Sequence, residues 1–341
     1  MRYRDAGVDV RRGDAVKRGI GEAIRRTWGA AVVPMSGGFC GVMRWPVGDR
    51  WLAATMDGVG TKLHLALEQG RVADAAADLV YHSADDLLAH GARPLAFLDY
   101  IAQARLDAGV VRDAVEGMSR ACVEVGAALL GGETAQMPDT YLPGVVDVAG
   151  CMIGEVDPGM WRDGSAVVPG DRLLGLASDG LHTNGFSLAR KVLSESGLEP
   201  GDPLPGGDGA TVGDTLLAPH RWYGRAVLPR LADPGLHALA HITGGGLAGN
   251  LLRVLPAGAR ALIAARGWER PVLFRWIASA GAVPEDDMRD TFNLGIGMVL
   301  VVAPDAVERL TGALAAAGER VHAIGCVEAG ERAVIWDDRG G

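Results

Sequence analysis

Cysteine is scarce in this 341-residue chain, and the four present are scattered. Cys40, Cys122, Cys151 and Cys326 form no CxxC pair, which removes the usual cysteine spacing of a zinc site or a disulfide framework. They are expected to be reduced thiols in a cytoplasmic protein. Aromatics make up only 5 % and form no stripe suited to a cofactor box; Trp161, Trp222 and Trp276 read as core or interface packing. No run of about eighteen apolar residues is present, so no membrane span is expected. The opening MRYRDAGVDVRRGDAVKRGI lacks the apolar core of a signal peptide. Positive charge is also in deficit, with 33 Lys+Arg against 42 Asp+Glu and a net charge of −9. That argues against a general nucleic-acid binder but leaves local anion sites open.

What is abundant is glycine, at 50 residues, which implies many tight turns or close approaches of backbone to a ligand. With 48 % hydrophobic and 22 % charged residues, the chain has an ordinary globular composition, and its length suits two domains.

Residues 1–50 read as an irregular arm carrying Arg11, Arg12, Lys17, Arg18, Arg25 and Arg26, either a solvated helix face or an arm that approaches phosphate. A flexible loop, Ser36-Gly37-Gly38-Phe39-Cys40-Gly41, follows. Trp51 to Met56 reads as a strand ending at Asp57. Val72, Ala75, Ala76, Leu79 and Val80 recur at helical spacing, and so do Val111, Ala114, Val115, Met118, Cys122 and Val125. Strand-like runs lie at Leu95–Ala102, Ala127–Leu130 and Val145–Val156. The turn Val167-Val168-Pro169-Gly170-Asp171 marks the expected domain boundary, dividing the chain into 1–168 and 169–341. A second alternation follows: strands at Leu173–Ala177, His237–Ile242, Ile296–Val302 and Val321–Val327, helices at Phe186–Leu193 and Gly246–Leu255, with Leu247, Leu251, Leu252 and Leu255 inward. The alternation predicts an α/β or α+β fold.

Five segments carry groups suited to chemistry. Asp57-Gly58-Val59-Gly60-Thr61-Lys62 offers a carboxylate at a strand end, two glycines, a hydroxyl and an ammonium, the parts needed around a magnesium-bound polyphosphate; it is not a P-loop. Asp85-Asp86 lies in a helical pattern, where neighbours point about 100° apart, so at most one aims into a site. Gly131-Gly132-Glu133 follows a strand, either a metal-binding carboxylate or an ordinary turn. Ser178-Asp179-Gly180-Leu181-His182-Thr183-Asn184 sits between a strand and a helix, where ligands collect; His182 is a general acid or base, a phosphate partner, or merely an exposed loop residue. His241-Ile242-Thr243-Gly244-Gly245-Gly246 runs a strand into a helix N-terminus, a geometry that suits anions. The set suggests one nucleotide site and one separate phosphate pocket.

Taken in order, these segments resemble the phosphoribosylformylglycinamidine cyclo-ligase, or aminoimidazole ribonucleotide synthetase, family. The resemblance runs from Tyr3–Asp9 through Asp57–Lys62, Phe97–Tyr100, Gly131–Ala135, Pro169–Asp171, Gly180–Arg190, His241–Leu247 and Arg253–Pro256 to Met288–Met298. It implies an N-terminal α/β domain that forms a shared β-barrel in a homodimer, and a C-terminal α/β domain contributing to the substrate site. It also implies ATP-dependent ring closure of formylglycinamidine ribonucleotide in purine biosynthesis, with Mg2+ as cofactor and a small nucleotide, rather than nucleic acid or membrane, as partner. Asp57, Asp86 and Glu133 would hold the metal. Gly37, Gly38, Gly58, Gly60 and Thr61 would surround ATP, and Lys62, His182 and Asn184 would serve catalysis. Thr243, Gly244, Gly245 and Gly246 would take the ribose phosphate. The chain departs from the family pattern at Asp85, where the family usually has Asn and where a carboxylate adds charge beside the metal, and at Tyr81-His82-Ser83-Ala84. The Met35–Gly41 loop is also poorer in glycine than the family's. A superfamily relative acting as a kinase or dehydratase, a divergent paralogue with another amide-like substrate, and a non-catalytic nucleotide-binding scaffold are the alternatives.

Overall fold

The computed structural model describes residues 1–8, 10–35 and 37–338. Asp9 and Ser36, both named above, lie outside the described residues, as do the side chains of Arg11, Lys17 and Arg18.

The first fifty residues are more regular than their composition suggests. Helix α1 spans Val10–Arg25, and strand β1 spans Gly41–Arg44. Strand β1 pairs antiparallel with β2, Trp51–Gly58. Helices α2, Lys62–Glu68, and α3, Val72–Leu88, follow. Then come β3, Arg93–Gln103; α4, Ala108–Val125; β4, Ala128–Gln136; and β5, Val146–Val156. The five strands form one sheet in the order β1-β2-β5-β3-β4.

Period-two burial along β5 shows how this sheet is used: Val146, Val148, Met152 and Val156 point into the core, while Cys151 and Ile153 on the other face are only partly covered. Helix α3 covers the inner face and is buried along nearly its whole length, as expected of a helix apolar on more than one side. Helix α4 crosses it closely at Gly117, where a Cβ would stand 1.9 Å from the Ala73 carbonyl oxygen. Asp107 caps α4 by accepting the Gly109 and Val110 N–H groups, which satisfies donors the first turn leaves free.

The second half builds a six-stranded sheet. Its elements are β6, Arg172–Ala177; α5, Phe186–Ser196; α6, Val212–Leu216; α7, Gly224–Val227; β7, Leu236–His241; and α8, Gly246–Val254. They continue with β8, Ala259–Ala264; α9, Val272–Ala280; α10, Glu285–Thr291; β9, Ile296–Val302; α11, Val307–Ala316; β10, Val321–Ala329; and β11, Ala333–Asp337. The order is β11-β8-β10-β6-β9-β7. Strand β9 is buried at every position, which matches its continuous apolar run. In α8, Leu247, Leu251 and Leu255 beside its end are buried, but Leu252 is exposed. Trp222 and Trp276 are core residues. Among the described residues, no helix is long and apolar enough to cross a membrane.

Candidate active site

The C-terminal half of α3 meets the carboxyl ends of β2 and β7, and that junction gathers the titratable groups. Asp57 is delivered by β2 and keeps a third of its side chain exposed. One and a half turns of α3 supply His82, Asp85 and Asp86. His82 Nε2 lies 3.6 Å from Asp57 Oδ1 and 4.0 Å from Asp86 Oδ2. Asp57, His82 and Asp86 thus bring ligand atoms within 4.8 Å of one another.

Electrostatics follow from this crowding. Burial raises the Asp86 carboxyl to about 7, with the Asp57 carboxylate adding to the rise and His82 opposing it. Burial works against a charged His82, but Asp57, then Asp86 and Asp78, outweigh it and lift the imidazole to about 9. Burial also acts on Asp57, yet His82 prevails and lowers its carboxyl. A pair of carboxylates with one open to solvent suits a hard divalent cation such as magnesium.

Asp85 points elsewhere. It is wholly buried, and its Oδ1 accepts the Tyr223 N–H at 3.2 Å, while its Oδ2 has no hydrogen-bond partner. Burial pushes its carboxyl well above the usual range, against the weaker pull of the Tyr223 N–H. Asp85 therefore faces Tyr223 rather than Asp57 and Asp86.

Three sequence expectations change. Lys62 is not a free donor at the mouth of a site. Its ammonium is fully buried, paired with Asp78, and 3.0 and 3.3 Å from the His182 and Ala218 carbonyl oxygens, so all three donor positions are used. His182 is not a loop group facing solvent. It is 1 % exposed, held at φ 60°, and stacked 4.0 Å from His220. Burial, then His241 and Lys62, push its imidazole well below the ordinary range. Glu133 does not sit in a turn: β4 runs through Gly131-Gly132-Glu133 to Gln136. Glu133 pairs with Tyr100 on β3, on the outer edge strand, three strands or about 14 Å from β2. Within one chain it does not join Asp57 and Asp86.

The remaining expected residues fall around the junction. Gly58 ends β2, and Gly60 has φ 69°. The Thr61 hydroxyl lies 3.0 Å from that of Ser187. The loop containing Gly37 and Gly38 is anchored where the Phe39 N–H donates to His90 Nε2 at 2.8 Å, and the Arg253 guanidinium sits 4.7 Å above the Phe39 ring. Gly37 itself abuts Arg253. Asn184 lies beside Gly244, where a Cβ would be 3.3 Å from its Oδ1. Asn250 organises the Thr243–Gly246 loop from within: its amide donates to the Thr243, Gly244 and Gly246 carbonyls, and its Oδ1 accepts the Thr243 hydroxyl. Gly245 and Gly246, both at positive φ, open the N-terminus of α8, where the Gly246 N–H donates to the Thr243 carbonyl at 3.2 Å.

The sequence reading did not bring His82 and His241 together with His220. His241 Nδ1 is 2.8 Å from Asp86 Oδ1, and His241 Nε2 is 3.3 Å from His220 Nε2. His82 packs edge-on against both rings. Residues 82, 220 and 241 are far apart in sequence, so no local spacing signals the cluster.

Comparison with known proteins agrees with this geometry. Residues 37–156 match the model of the AIR synthase related protein N-terminal domain, and 168–338 match that of the C-terminal domain. The phosphoribosylformylglycinamidine cyclo-ligase of Myxococcus xanthus is 43 % identical over 96 % of this chain and 96 % of its own length. This chain belongs to the phosphoribosylformylglycinamidine cyclo-ligase family. The chloroplastic or mitochondrial cyclo-ligase of Vigna unguiculata is 45 % identical over 91 % of this chain and 77 % of its own. Solved structures of more distant proteins share the cyclo-ligase fold. Thiamine-monophosphate kinase from Stenotrophomonas maltophilia aligns with a TM-score of 0.65 at 17 % identity, covering 94 % of this chain and 95 % of its own. The hydrogenase maturation protein HypE in complex with ATP aligns at 0.61 and 20 %, covering 93 % and 87 %.

Proposed function

We propose that this cyclo-ligase family member closes formylglycinamidine ribonucleotide to 5-aminoimidazole ribonucleotide, using ATP, in de novo purine biosynthesis. The formyl oxygen attacks the γ-phosphorus of ATP and ADP leaves. An amidine nitrogen of the same molecule then attacks the formyl carbon, a C–N bond forms, and the C–O bond breaks as phosphate departs. The attacking nitrogen loses its proton, and a proton shifts from the ring CH2 carbon to the exocyclic imine nitrogen, which gives the aromatic aminoimidazole. Because the attack is intramolecular, the protein's work is to position the chain ends and offset charge. Curated relatives that carry the cyclo-ligase name, at 43–45 % identity over more than nine-tenths of the chain, support this reading.

The observation that carries it is the meeting of Asp57 and Asp86, which lie on separate elements, at one partly open junction. We assign them to magnesium, which when bound offsets the charge of the triphosphate. Gly58, Gly60 and Thr61 line the same turn and face the nucleotide, and Gly37 and Gly38 cover it from the Arg253 side. Asn184 stands between this region and the Thr243–Gly246 loop, which takes the ribose phosphate on the N-terminus of α8. Lys62 and His182 act from beneath by fixing backbone rather than by touching substrate. The division at 168/169 separates the nucleotide-binding half from the half that supplies the phosphate loop.

The outer face of the N-terminal sheet fits a homodimer. Met56, Cys151 and Leu98 form one cross-strand row there, with Met56 at 68 % and Leu98 at 38 % exposure. An open apolar sheet face of this kind is a contact surface. Four free cysteines suit a reducing cytoplasm. The test is a stoichiometric assay with magnesium, ATP and formylglycinamidine ribonucleotide. Aminoimidazole and ADP appearing one for one support the reading; ADP without aminoimidazole overturns it.

A further inference from the structure

We propose that His82, His220 and His241 form a site for one zinc-type divalent cation, next to the Asp57–Asp86 pair, that clamps α3 to the C-terminal domain. Their ligating nitrogens all lie within 4.8 Å of one another, and all three residues are buried.

Hydrogen bonding explains why the Nε2 atoms are the ones left for a cation. His241 Nδ1 lies 2.8 Å from Asp86 Oδ1, and with Asp86 ionised this nitrogen carries the proton. His220 Nδ1 faces the Arg221 carbonyl at 3.2 Å, and it too must donate. His82 Nδ1 is engaged by the Thr183 hydroxyl at 2.7 Å, and the proton that Asp57 favours on its Nε2 is released when the ion binds. Two of the resulting Nε2 lone pairs, on His220 and His241, then face each other at 3.3 Å. Two acceptors at that distance repel unless a cation lies between them. A tetrahedral ion with Zn–N bonds of about 2.0–2.1 Å places its nitrogens about 3.3 Å apart.

Ring placement agrees. The three centroid separations are 5.0, 5.2 and 5.5 Å, with interplanar angles of 63–73°. Imidazoles fanned around one tetrahedral ion sit about 5 Å apart centre to centre. The outer groups match a metal's supporting shell, in which each ligating histidine gives its second nitrogen to a carboxylate, a carbonyl or a hydroxyl. The buried, unpartnered Asp85 Oδ2, 3.8 Å from His220 Nδ1, adds a further acceptor beneath the site. Three imidazoles suit zinc, cobalt or nickel rather than magnesium, which prefers oxygen. His82 belongs to the N-terminal half, and His220 and His241 to the C-terminal half, so a bound ion joins the two.

Cobalt(II) titrated into the chelator-treated full-length protein, without nucleotide, reads this out independently of the cyclisation chemistry. The expected result is visible d–d absorption of tetrahedral intensity that saturates near one cobalt per chain. Added zinc should abolish it and excess magnesium should not. His220→Leu should lose at least tenfold in cobalt affinity. His220→Cys should keep the site and gain a near-ultraviolet thiolate-to-cobalt band, which also shows that the position tolerates change. Absence of tetrahedral bands in the native protein overturns the proposal and leaves a proton shared between His220 and His241. Full-strength bands in His220→Leu overturn it as well, by placing the cobalt elsewhere.

Discussion

The Lys62 ammonium and the Asp78 carboxylate form an ion pair with no exposed surface on the lysine, and the His220 N–H donates to the other Asp78 oxygen at 2.7 Å. This contact ties α2 to α3 and to the segment before Tyr223. Lys62 further holds the His182 carbonyl, and so fixes the strained loop that leads to Asn184.

Breaking that pair from one side should leave a buried carboxylate without its counter-charge. Lys62→Met is expected to lower stability by about 3–5 kcal/mol, read from urea unfolding, with the KM for ATP unchanged in the protein that remains folded. Unchanged stability with a tenfold higher KM would place Lys62 at the nucleotide after all.

Asp85→Asn should be tolerated. The amide oxygen keeps the Tyr223 N–H bond, and the NH2 replaces an oxygen that has no partner. Activity within about threefold of the parent and a melting temperature close to the parent's are expected, since one buried atom without a partner replaces another. A loss of activity beyond tenfold contradicts the assignment of Asp85 to a buried, non-catalytic position.

Two glycines at the start of α8 should behave oppositely. A Cβ at Gly246 would stand 1.8 Å from the Arg289 carbonyl oxygen, at a backbone φ of 61°. Gly246→Ala should displace the loop and raise the KM for the ribonucleotide at least tenfold, or prevent folding. Gly249, on the exposed side of α8, meets nothing within 4 Å. Gly249→Ala should stabilise the protein by up to about 1 kcal/mol through helix propensity. Differential scanning calorimetry and steady-state kinetics on both variants check the contrast.

The exposed sheet row predicts association. Sedimentation velocity should show a dimer, and Leu98→Lys should shift it toward monomer by placing a charge on the apolar face. A monomeric parent protein rules out pairing through this face.

Much of this arrangement was legible in the chain because it is local. The helical spacing of Val72–Val80 and the strand-like run Val145–Val156 matched α3 and β5 in type. The 100° step between Asp85 and Asp86 correctly allowed only one of them into the junction. What escaped is non-local. Composition hid α1 inside an apparently irregular arm. Glu133 looked like a turn residue because two glycines precede it, but β-pairing with β3 carries the strand through them. Nothing near Lys62 in sequence announces Asp78 or the Ala218 carbonyl, and the histidine cluster draws on three distant segments.

The central claim is that Asp57 and Asp86 serve one ATP-dependent ring closure. The most direct test is kcat for aminoimidazole formation in Asp57→Asn and Asp86→Asn, each confirmed folded by circular dichroism. Losing a carboxylate that offsets triphosphate charge should lower kcat at least a hundredfold in both, in line with about 2.7–4 kcal/mol for one electrostatic group. Either variant retaining more than a tenth of the parent rate, while folded, would contradict the account.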